Sequence, residues 1–205
     1  MDLKNKEKAI QKLERKIGVH KNFFKTIFLS ENDWSFIVKL HSFLEAACTE
    51  LITSSLGKSE IEDIISRLEM SNKSQGKIAF IKNLSLLESG ARGYLRKLSE
   101  IRNFYVHNIK NISLSLEQYV KSLNAQQIKN FINRIGYDMK EKLELKNGKI
   151  IEKNDFIKYN PRLTIFLNAH SVLLEISAQI KLEEFEIEKK ELYKEFAEGF
   201  IPLAK

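Results

Sequence analysis

Three residues near the middle of the chain carry side chains suited to chemistry. Arg102, Asn103 and His107 lie within the stretch EIRNFYVH, which otherwise contains mostly apolar residues. An imidazole can exchange a proton near neutral pH, and a guanidinium can donate two parallel hydrogen bonds to an oxyanion. The question is whether these residues form a catalytic site or are unrelated neighbours on a helix.

Helical spacing divides this stretch into a core face and a polar face. Advancing about 100° per residue from Ala91 groups five apolar residues on one side, and Arg102 falls there too. These residues are Tyr94, Leu95, Leu98, Ile101 and Tyr105. His107 falls about 140° away on a polar stripe. The other members of this stripe are Arg92, Arg96, Ser99 and Asn103. In an unbroken helix, Arg102 and His107 of one chain therefore do not converge.

The position of Arg102 allows two interpretations. As a buried strut, it would need a carboxylate or carbonyl partner, because an isolated buried guanidinium is very costly. Glu45 and Glu50 on the preceding long helix are the candidates. As a catalytic group, it would require the helix to bend near Asn103, or a second subunit to complete the site across a two-fold axis.

The segment IRNFYVH resembles the signature of the HEPN superfamily, in which an arginine, a polar residue and then a histidine are carried on a helical bundle. Here residues 103–106 separate the arginine from the histidine. Residues 34–123 are also similar in layout to the mannitol-operon-repressor-like branch of that superfamily. In that branch, an acidic and apolar helix precedes a polar loop, a short helix and an arginine-asparagine-histidine segment.

The resemblance implies an activity, since many HEPN proteins are metal-independent endoribonucleases. His107 would then act as general base on a ribose 2′-hydroxyl, and Arg102 would stabilise the charge on the phosphorane. Asn103 would orient the arginine or donate to a phosphate oxygen. Cleavage would leave a 2′,3′-cyclic phosphate and a 5′-hydroxyl without a metal or cofactor. Arg92 and Arg96 would hold flanking phosphates of the RNA.

The resemblance also implies partners. In a homodimer, the arginine of one chain would lie opposite the histidine of the other. Such a protein would act in a toxin–antitoxin or phage-defence system, with an antitoxin as a partner. Other HEPN proteins, including regulators of the mannitol-repressor type, keep the bundle without demonstrable nuclease chemistry. Ile109 stands where some toxin-type members have a tyrosine. A non-catalytic regulator or interaction protein is therefore the alternative.

The chain is expected to form a single all-α domain over residues 1–205, a helical bundle with a small β-hairpin insertion and a long C-terminal helix. Only two prolines and eight glycines interrupt a sequence rich in leucine, isoleucine, lysine and glutamate. We expect the core at residues 33–123. An N-terminal helix at 2–17, and the hairpin and further helices at 125–205, would be additions to it.

Capping residues predict the limits of the central helices. The longest apolar helix is expected to begin at Asn32 or Asp33 and to end at Gly57. Ser59 precedes Glu62 by three residues, which is the spacing of a capping box at the start of the next helix.

Glycine and proline mark the later boundaries. Gly90 predicts a helix end within residues 77–108, and two short amphipathic helices are expected after residue 115. The Asn-Gly pair at 147–148 predicts a hairpin turn between two short strands. Pro161 predicts the start of the long final helix.

The net charge and the single cysteine indicate which partners and which cell compartment suit the protein. With 34 basic and 27 acidic residues the net charge is +7, which suits a polyanionic partner, although dispersed lysines are also typical of a solvated surface. Cys48 is the only cysteine, so no internal disulfide is possible, and we expect a buried thiol in a cytoplasmic protein. No signal peptide or membrane span is predicted. His41 is expected in the core, and no metal site is predicted.

Overall fold

Helices surround one central helix, and a short hairpin lies near the end of the chain. A computed structural model describes residues 2–144 and 148–200. The helices in these ranges are α1 (Leu3–Lys16), α2 (Phe23–Phe28), α3 (Asp33–Leu56), α4 (Glu62–Ser66), α5 (Lys77–Asn83), α6 (Ser89–Val106), α7 (Leu116–Ser122), α8 (Ala125–Ile135), α9 (Lys153–Tyr159) and α10 (Pro161–Phe200). The strands are β1 (Lys142–Glu144) and β2 (Ile150–Glu152). The expected all-α bundle with a hairpin and a long C-terminal helix is confirmed.

The central helix α3 has the limits that its capping residues predict. The Asn32 side chain accepts a hydrogen bond of 2.8 Å from the Ser35 N–H, which satisfies one free donor of the first turn. Gly57 ends the helix with φ of +61°, a conformation that glycine adopts without steric cost. Buried residues lie on most of the α3 surface, because α2, α4, α5, α6 and α10 all pack against it.

The long helix α10 covers α3 with its first half. The buried residues of this half are Ile165, Ala169, Val172, Leu173, Ile176 and Ile180. They belong to the same hydrophobic cluster as Ile10 and Leu13 of α1. One stretch of 18 residues in α10 has a mean hydropathy of 1.3, enough by length and composition to cross a membrane. Half of that stretch is buried within the protein, as in the core helix of a globular protein, so it does not by itself identify a membrane segment.

Two boundary predictions are wrong. Ser59 begins a single 3-10 turn, Ser59–Ile61, and its side chain caps no helix. Gly90 lies in the first turn of α6, not at a helix end, and the break falls earlier, where Ser85 has φ of +56°. The absence of a side chain at Gly90 serves packing, because a Cβ there would lie 2.6 Å from the Tyr137 ring. The sequence analysis also missed α2 and α9.

The hairpin forms where the Asn-Gly pair predicts it. Strands β1 and β2 pair antiparallel, with Leu143 opposite Ile151. Gly148 has φ of +77°, as a tight turn requires. Asn147 lies outside the described residues.

The thiol of Cys48 is sealed in the core. It is fully buried on α3, and burial raises its pKa to about 12. Because the thiolate is the reactive form, we expect no alkylation of the native protein by iodoacetamide at pH 8, and complete alkylation after denaturation. Mass spectrometry of the intact chain measures both. Rapid labelling of the native protein would contradict the buried position.

Candidate catalytic surface on helix α6

Helix α6 carries the candidate residues without a bend. It runs unbroken from Ser89 to Val106, and His107 follows as its C-cap with φ of −84°. The His107 N–H donates to the Asn103 carbonyl at 3.1 Å, which continues the helical pattern to the last turn. A kink near Asn103, one of the two routes to a catalytic pair, is therefore not present in the described chain.

The core face of α6 agrees with the helical spacing. Tyr94, Leu95, Leu98, Ile101 and Tyr105 are all fully buried. The Tyr94 hydroxyl donates to the Ile165 carbonyl at 2.7 Å, and the Tyr105 hydroxyl donates to the Leu114 carbonyl at 3.1 Å. Because both hydroxyls are satisfied, these tyrosines fix the rotation of α6 about its axis.

Arg102 is not a strut paired with Glu45 or Glu50. Glu45 faces Lys77, with 3.4 Å between Oε1 and Nζ, and Glu50 binds Lys16 at 3.0 Å. The half-buried Arg102 instead donates from Nη1 to Asn103 Oδ1 at 3.1 Å. Within the described residues, no carboxylate pairs with this guanidinium. Most of its N–H donors are therefore free for another acceptor.

Asn103 connects Arg102 to the polar face of α6. Asn103 and His107 are four residues apart, so their side chains lie one above the other on the same face. His107 is exposed and makes no side-chain hydrogen bond with the described part of the protein. Arg102 is half-buried and donates to Asn103, so this bond connects the guanidinium to the polar face on which His107 is exposed.

The two arginines predicted to hold phosphates differ in availability. Arg92 is half-buried and donates through Nη1 to the Leu87 carbonyl, a contact that holds the start of α6 in place. Arg96 is exposed and forms no ion pair or hydrogen bond with any described residue. The exposed Arg134 of α8 lies over Gly93 near the start of α6, where a Cβ would be 2.4 Å from its Nη1. The sequence analysis missed Arg134, and the only signal for it was a glycine inside a helix.

Ser99 does not belong to the polar stripe, contrary to the prediction. It is buried, and its Oγ lies 3.1 Å from His41 Nε2 on α3. Ser99 Oγ donates to the Leu95 carbonyl at 3.0 Å, so the hydroxyl oxygen accepts from the histidine ring. The stripe loses this residue because α3 covers that side of α6. His41 is a satisfied core histidine, as predicted.

A network of polar contacts that begins at the buried Lys77 connects α3 to α6. Lys77 is fully buried, and its ammonium donates to Glu45, to the Ser66 carbonyl at 2.9 Å and to the Leu68 carbonyl. The other Glu45 oxygen lies 3.8 Å from His41 Nδ1. These contacts join the 66–77 segment to α3, and through His41 and Ser99 to α6. Lys77 follows a polar loop in the sequence, so nothing there distinguished it from a solvated lysine.

Burial lowers the pKa of His41. Desolvation has the largest effect, the charges of Arg102 and Lys77 act in the same direction, and Glu45 opposes them.

The lowered pKa of His41 predicts acid sensitivity. Because the unfolded chain binds a proton at His41 more readily than the folded protein, the stabilisation is present above about pH 6.5 and declines as the pH falls. The free energy of unfolding should therefore decrease between pH 7 and pH 5. In His41→Gln, whose amide can still donate to Ser99, this decrease should be smaller. Urea titrations at each pH measure the difference.

His170, whose pKa is also lowered by burial, contributes in the same direction in both proteins, so its effect cancels in the comparison. An equal pH slope in the two proteins would exclude His41 as the source.

The surface offers proton transfer and anion binding rather than metal ligation. Across residues 2–144 and 148–196, no three His, Cys, Asp or Glu side chains lie close enough to hold a metal ion. The chemistry available is that of an exposed imidazole and of a guanidinium with unused donors on the same helix. No family model, curated protein or solved structure is significantly similar to the chain. The interpretation of this surface therefore depends on its own geometry and on the motif.

Proposed function

We propose that this protein is a HEPN-like endoribonuclease that cleaves RNA without a metal ion. The supporting observation is the state of Arg102, which donates to Asn103 and has no carboxylate partner among the described residues, together with the exposed His107 one turn after Asn103. A guanidinium with a purely structural role donates its N–H groups to carboxylates and carbonyls, as Arg162 does to Asp33, Phe28 and Ser30. Arg102 keeps them for an incoming phosphate.

The proposed reaction is an internal transesterification. His107 takes the proton of a ribose 2′-hydroxyl, and the 2′-oxygen forms a bond to the adjacent phosphorus while the bond to the 5′-oxygen breaks. The leaving oxygen receives a proton from an imidazolium or from water. The products are a 2′,3′-cyclic phosphate and a 5′-hydroxyl. Arg102 donates to the non-bridging oxygens, where negative charge increases in the transition state.

A second copy of the chain completes the proposed site. In the unbroken helix α6, the Cα atoms of Arg102 and His107 are about 7.5 Å apart along the axis and about 140° apart around it. One phosphate therefore does not meet both side chains in the best geometry within one chain. A homodimer with the two α6 ends facing each other supplies Arg102 from one copy and His107 from the other. Arg96 and Arg134 are exposed at the first half of α6 and are suited to the flanking phosphates.

Incubation of purified protein with single-stranded RNA in excess EDTA tests the proposal. The expected result is cleavage that does not depend on a divalent ion, with 2′,3′-cyclic phosphate ends detected by mass spectrometry. A substrate with 2′-deoxyribose at the cleaved position should remain intact, because it lacks the nucleophile. Cleavage that requires Mg²⁺, or that leaves 3′-hydroxyl ends, would contradict the mechanism.

One observation favours a non-catalytic regulator or interaction protein. A catalytic histidine is usually oriented by a third group, whereas His107 has no such hydrogen bond within the described chain. In this alternative the α6 surface binds an antitoxin or another regulatory protein, or RNA without cleaving it. RNA that stays intact under all ionic conditions would support it. For the endoribonuclease, we propose that it acts in the cytoplasm as part of a toxin–antitoxin or phage-defence system.

A further inference from the structure

The second half of α10 exposes more apolar surface than the adjacent parts of the protein. Leu182, Phe185, Leu192, Tyr193 and Phe196 are between 53% and 64% exposed. The half-buried Ile187 lies beside Gly57 at the end of α3, and every residue from 188 to 196 is exposed. The helix therefore continues for more than two turns beyond Ile187 with every side chain exposed.

Such a helical extension gains little stability from its own backbone hydrogen bonds in water. Isolated helices shorter than about 12–15 residues are marginal, and most helical stability in proteins comes from packing of an apolar face. Other exposed apolar side chains, such as Leu3, Leu29 and Ile109, are scattered, whereas these five lie within 15 consecutive residues, which is typical of an interaction surface. A partner that covered this face of α10 would stabilise it by burying these side chains.

The apolar residues have the spacing of a coiled coil. Positions 182, 185, 189, 192 and 196 alternate steps of three and four, which is the a/d pattern of a heptad. Leu182, Phe185, Leu192 and Phe196 occupy four of them, and we call these four residues the α10 stripe. Lys189 occupies the remaining position, of type a, and Ala178 continues the line one turn toward the body as an exposed residue. A single polar residue at an a position is a known determinant of register.

The charges beside the stripe favour a parallel pair of identical helices. Lys181 is at a g position and Glu186 at the e position of the following heptad, so each Lys181 would face Glu186 of the second copy. Lys189 would lie next to Glu188 of the second copy, which relieves the repulsion between the two Lys189 side chains. The remaining e position beside the stripe is Tyr193, which is uncharged, so no like charges oppose each other across the g–e contacts of residues 181–196.

The same segment is poorly suited to a lipid surface. Residues 181–196 contain six glutamates and four lysines and are net negative, although the whole chain is net positive. Amphipathic helices that bind membranes usually carry lysine and arginine on the polar face.

We propose that the α10 stripe pairs with the stripe of a second copy of this chain as a short parallel coiled coil. The contact is made by residues 178–196, and Lys189 sets the register. This inference depends only on α10, so it does not require that the α6 surface cleaves RNA, and a failure of the cleavage assay leaves it unchanged.

Sedimentation velocity of the full chain over a concentration series tests the coil. We expect a monomer–dimer equilibrium, and Leu192→Glu and Phe196→Glu should each weaken it by roughly 30-fold or more, because each buries a carboxylate in the apolar seam. Lys190→Glu, which adds a carboxylate on the outer face of the same helix, is the matched control and should change dimerisation by less than roughly threefold. Lys189→Leu should tighten the dimer. Because these positions do not contact the body, the melting temperature of the monomer should not change.

Disulfide trapping tests the parallel register. In Leu192→Cys, oxidation should link the two copies through position 192, and the buried Cys48 should not compete.

A chain that is monomeric at all concentrations, or a dimer that Leu192→Glu and Phe196→Glu leave intact, would overturn the proposal. Failure of the Leu192→Cys link in an otherwise normal dimer would overturn the parallel register. A monomer that binds phosphatidylcholine vesicles through the stripe would assign it to a lipid surface instead.

Discussion

RNA cleavage by His107→Ala is expected to be roughly 100- to 10,000-fold slower than cleavage by the unchanged protein, the usual loss when a general base is removed. The imidazole is exposed on the last turn of α6 and has no packing role there, so its removal should change only the chemistry. The melting temperature should stay within about 1 °C, because exposed side chains contribute little to stability. A fluorescent RNA cleavage assay and a thermal melt of the same sample measure the two effects.

Substitutions at Arg102 separate charge from geometry in the same assay. Arg102→Ala should lower kcat by roughly 100- to 1,000-fold, as expected for loss of a donor to the transition-state oxyanion. Arg102→Lys should recover part of this loss, because an ammonium supplies charge but not the two parallel hydrogen bonds. Asn103→Ala should have a smaller effect, since Asn103 positions Arg102 through the bond at 3.1 Å.

His20→Ala provides the matched control for His107→Ala. His20 is exposed like His107 but lies between α1 and α2, and its removal should leave cleavage unchanged.

If mixing inactive Arg102→Ala with inactive His107→Ala restores activity, the two groups come from different copies, because a mixed dimer contains one intact pair. Full activity of His107→Ala would contradict a catalytic role of His107.

The parts of the fold that the sequence predicts are those set by local chemistry. Asn32 caps α3, and Gly57 ends it in a left-handed conformation, so both limits could be read from the chain. Pro161 begins α10 for a similar reason, since its fixed φ suits a first turn. Such signals involve residues a few positions apart, and tertiary contacts do not change them.

The parts that could not be predicted depend on contacts between distant residues. Gly90 was interpreted as a helix end because glycine often ends a helix. Its actual role is to leave space for the Tyr137 ring, and Tyr137 is too far away in the sequence for a local pattern to show this. Ser99 fell on the polar side of the helical wheel, but α3 covers that side and supplies His41 as a partner. Glu45 was one of two candidate partners of Arg102 in the strut interpretation, whereas the structure pairs it with Lys77.

The motif itself shows both cases. Spacing alone placed Tyr105 in the core and His107 outside it, and both positions agree with the structure. It could not give the direction of the Arg102 side chain, because a long flexible side chain can turn toward either neighbouring face. The bond to Asn103 decides this direction, and it moves Arg102 from the buried network to the surface that holds His107.

The largest loss of stability is expected from Lys77→Ala. The Lys77 side chain is fully buried, and its three N–H donors serve Glu45 and the carbonyls of Ser66 and Leu68. Its removal leaves these acceptors without a donor and opens a cavity where the methylenes were. The free energy of unfolding should fall by about 4 kcal/mol, as expected when a long buried side chain is truncated and buried carbonyls lose their donor. Urea denaturation followed by circular dichroism measures it.

Two further variants identify the cause of this loss. Lys77→Met fills most of the space without supplying a donor, so it should recover only the part due to the cavity and remain about 2 kcal/mol below the unchanged protein. Lys142→Ala removes a lysine whose ion pair with Glu152 is exposed, with 69% of the lysine side chain accessible, and should cost less than about 1 kcal/mol. If Lys77→Met were as stable as the unchanged protein, Lys77 would act through its volume alone. Its hydrogen bonds to Glu45 and to the Ser66 and Leu68 carbonyls would then contribute nothing to the free energy of unfolding.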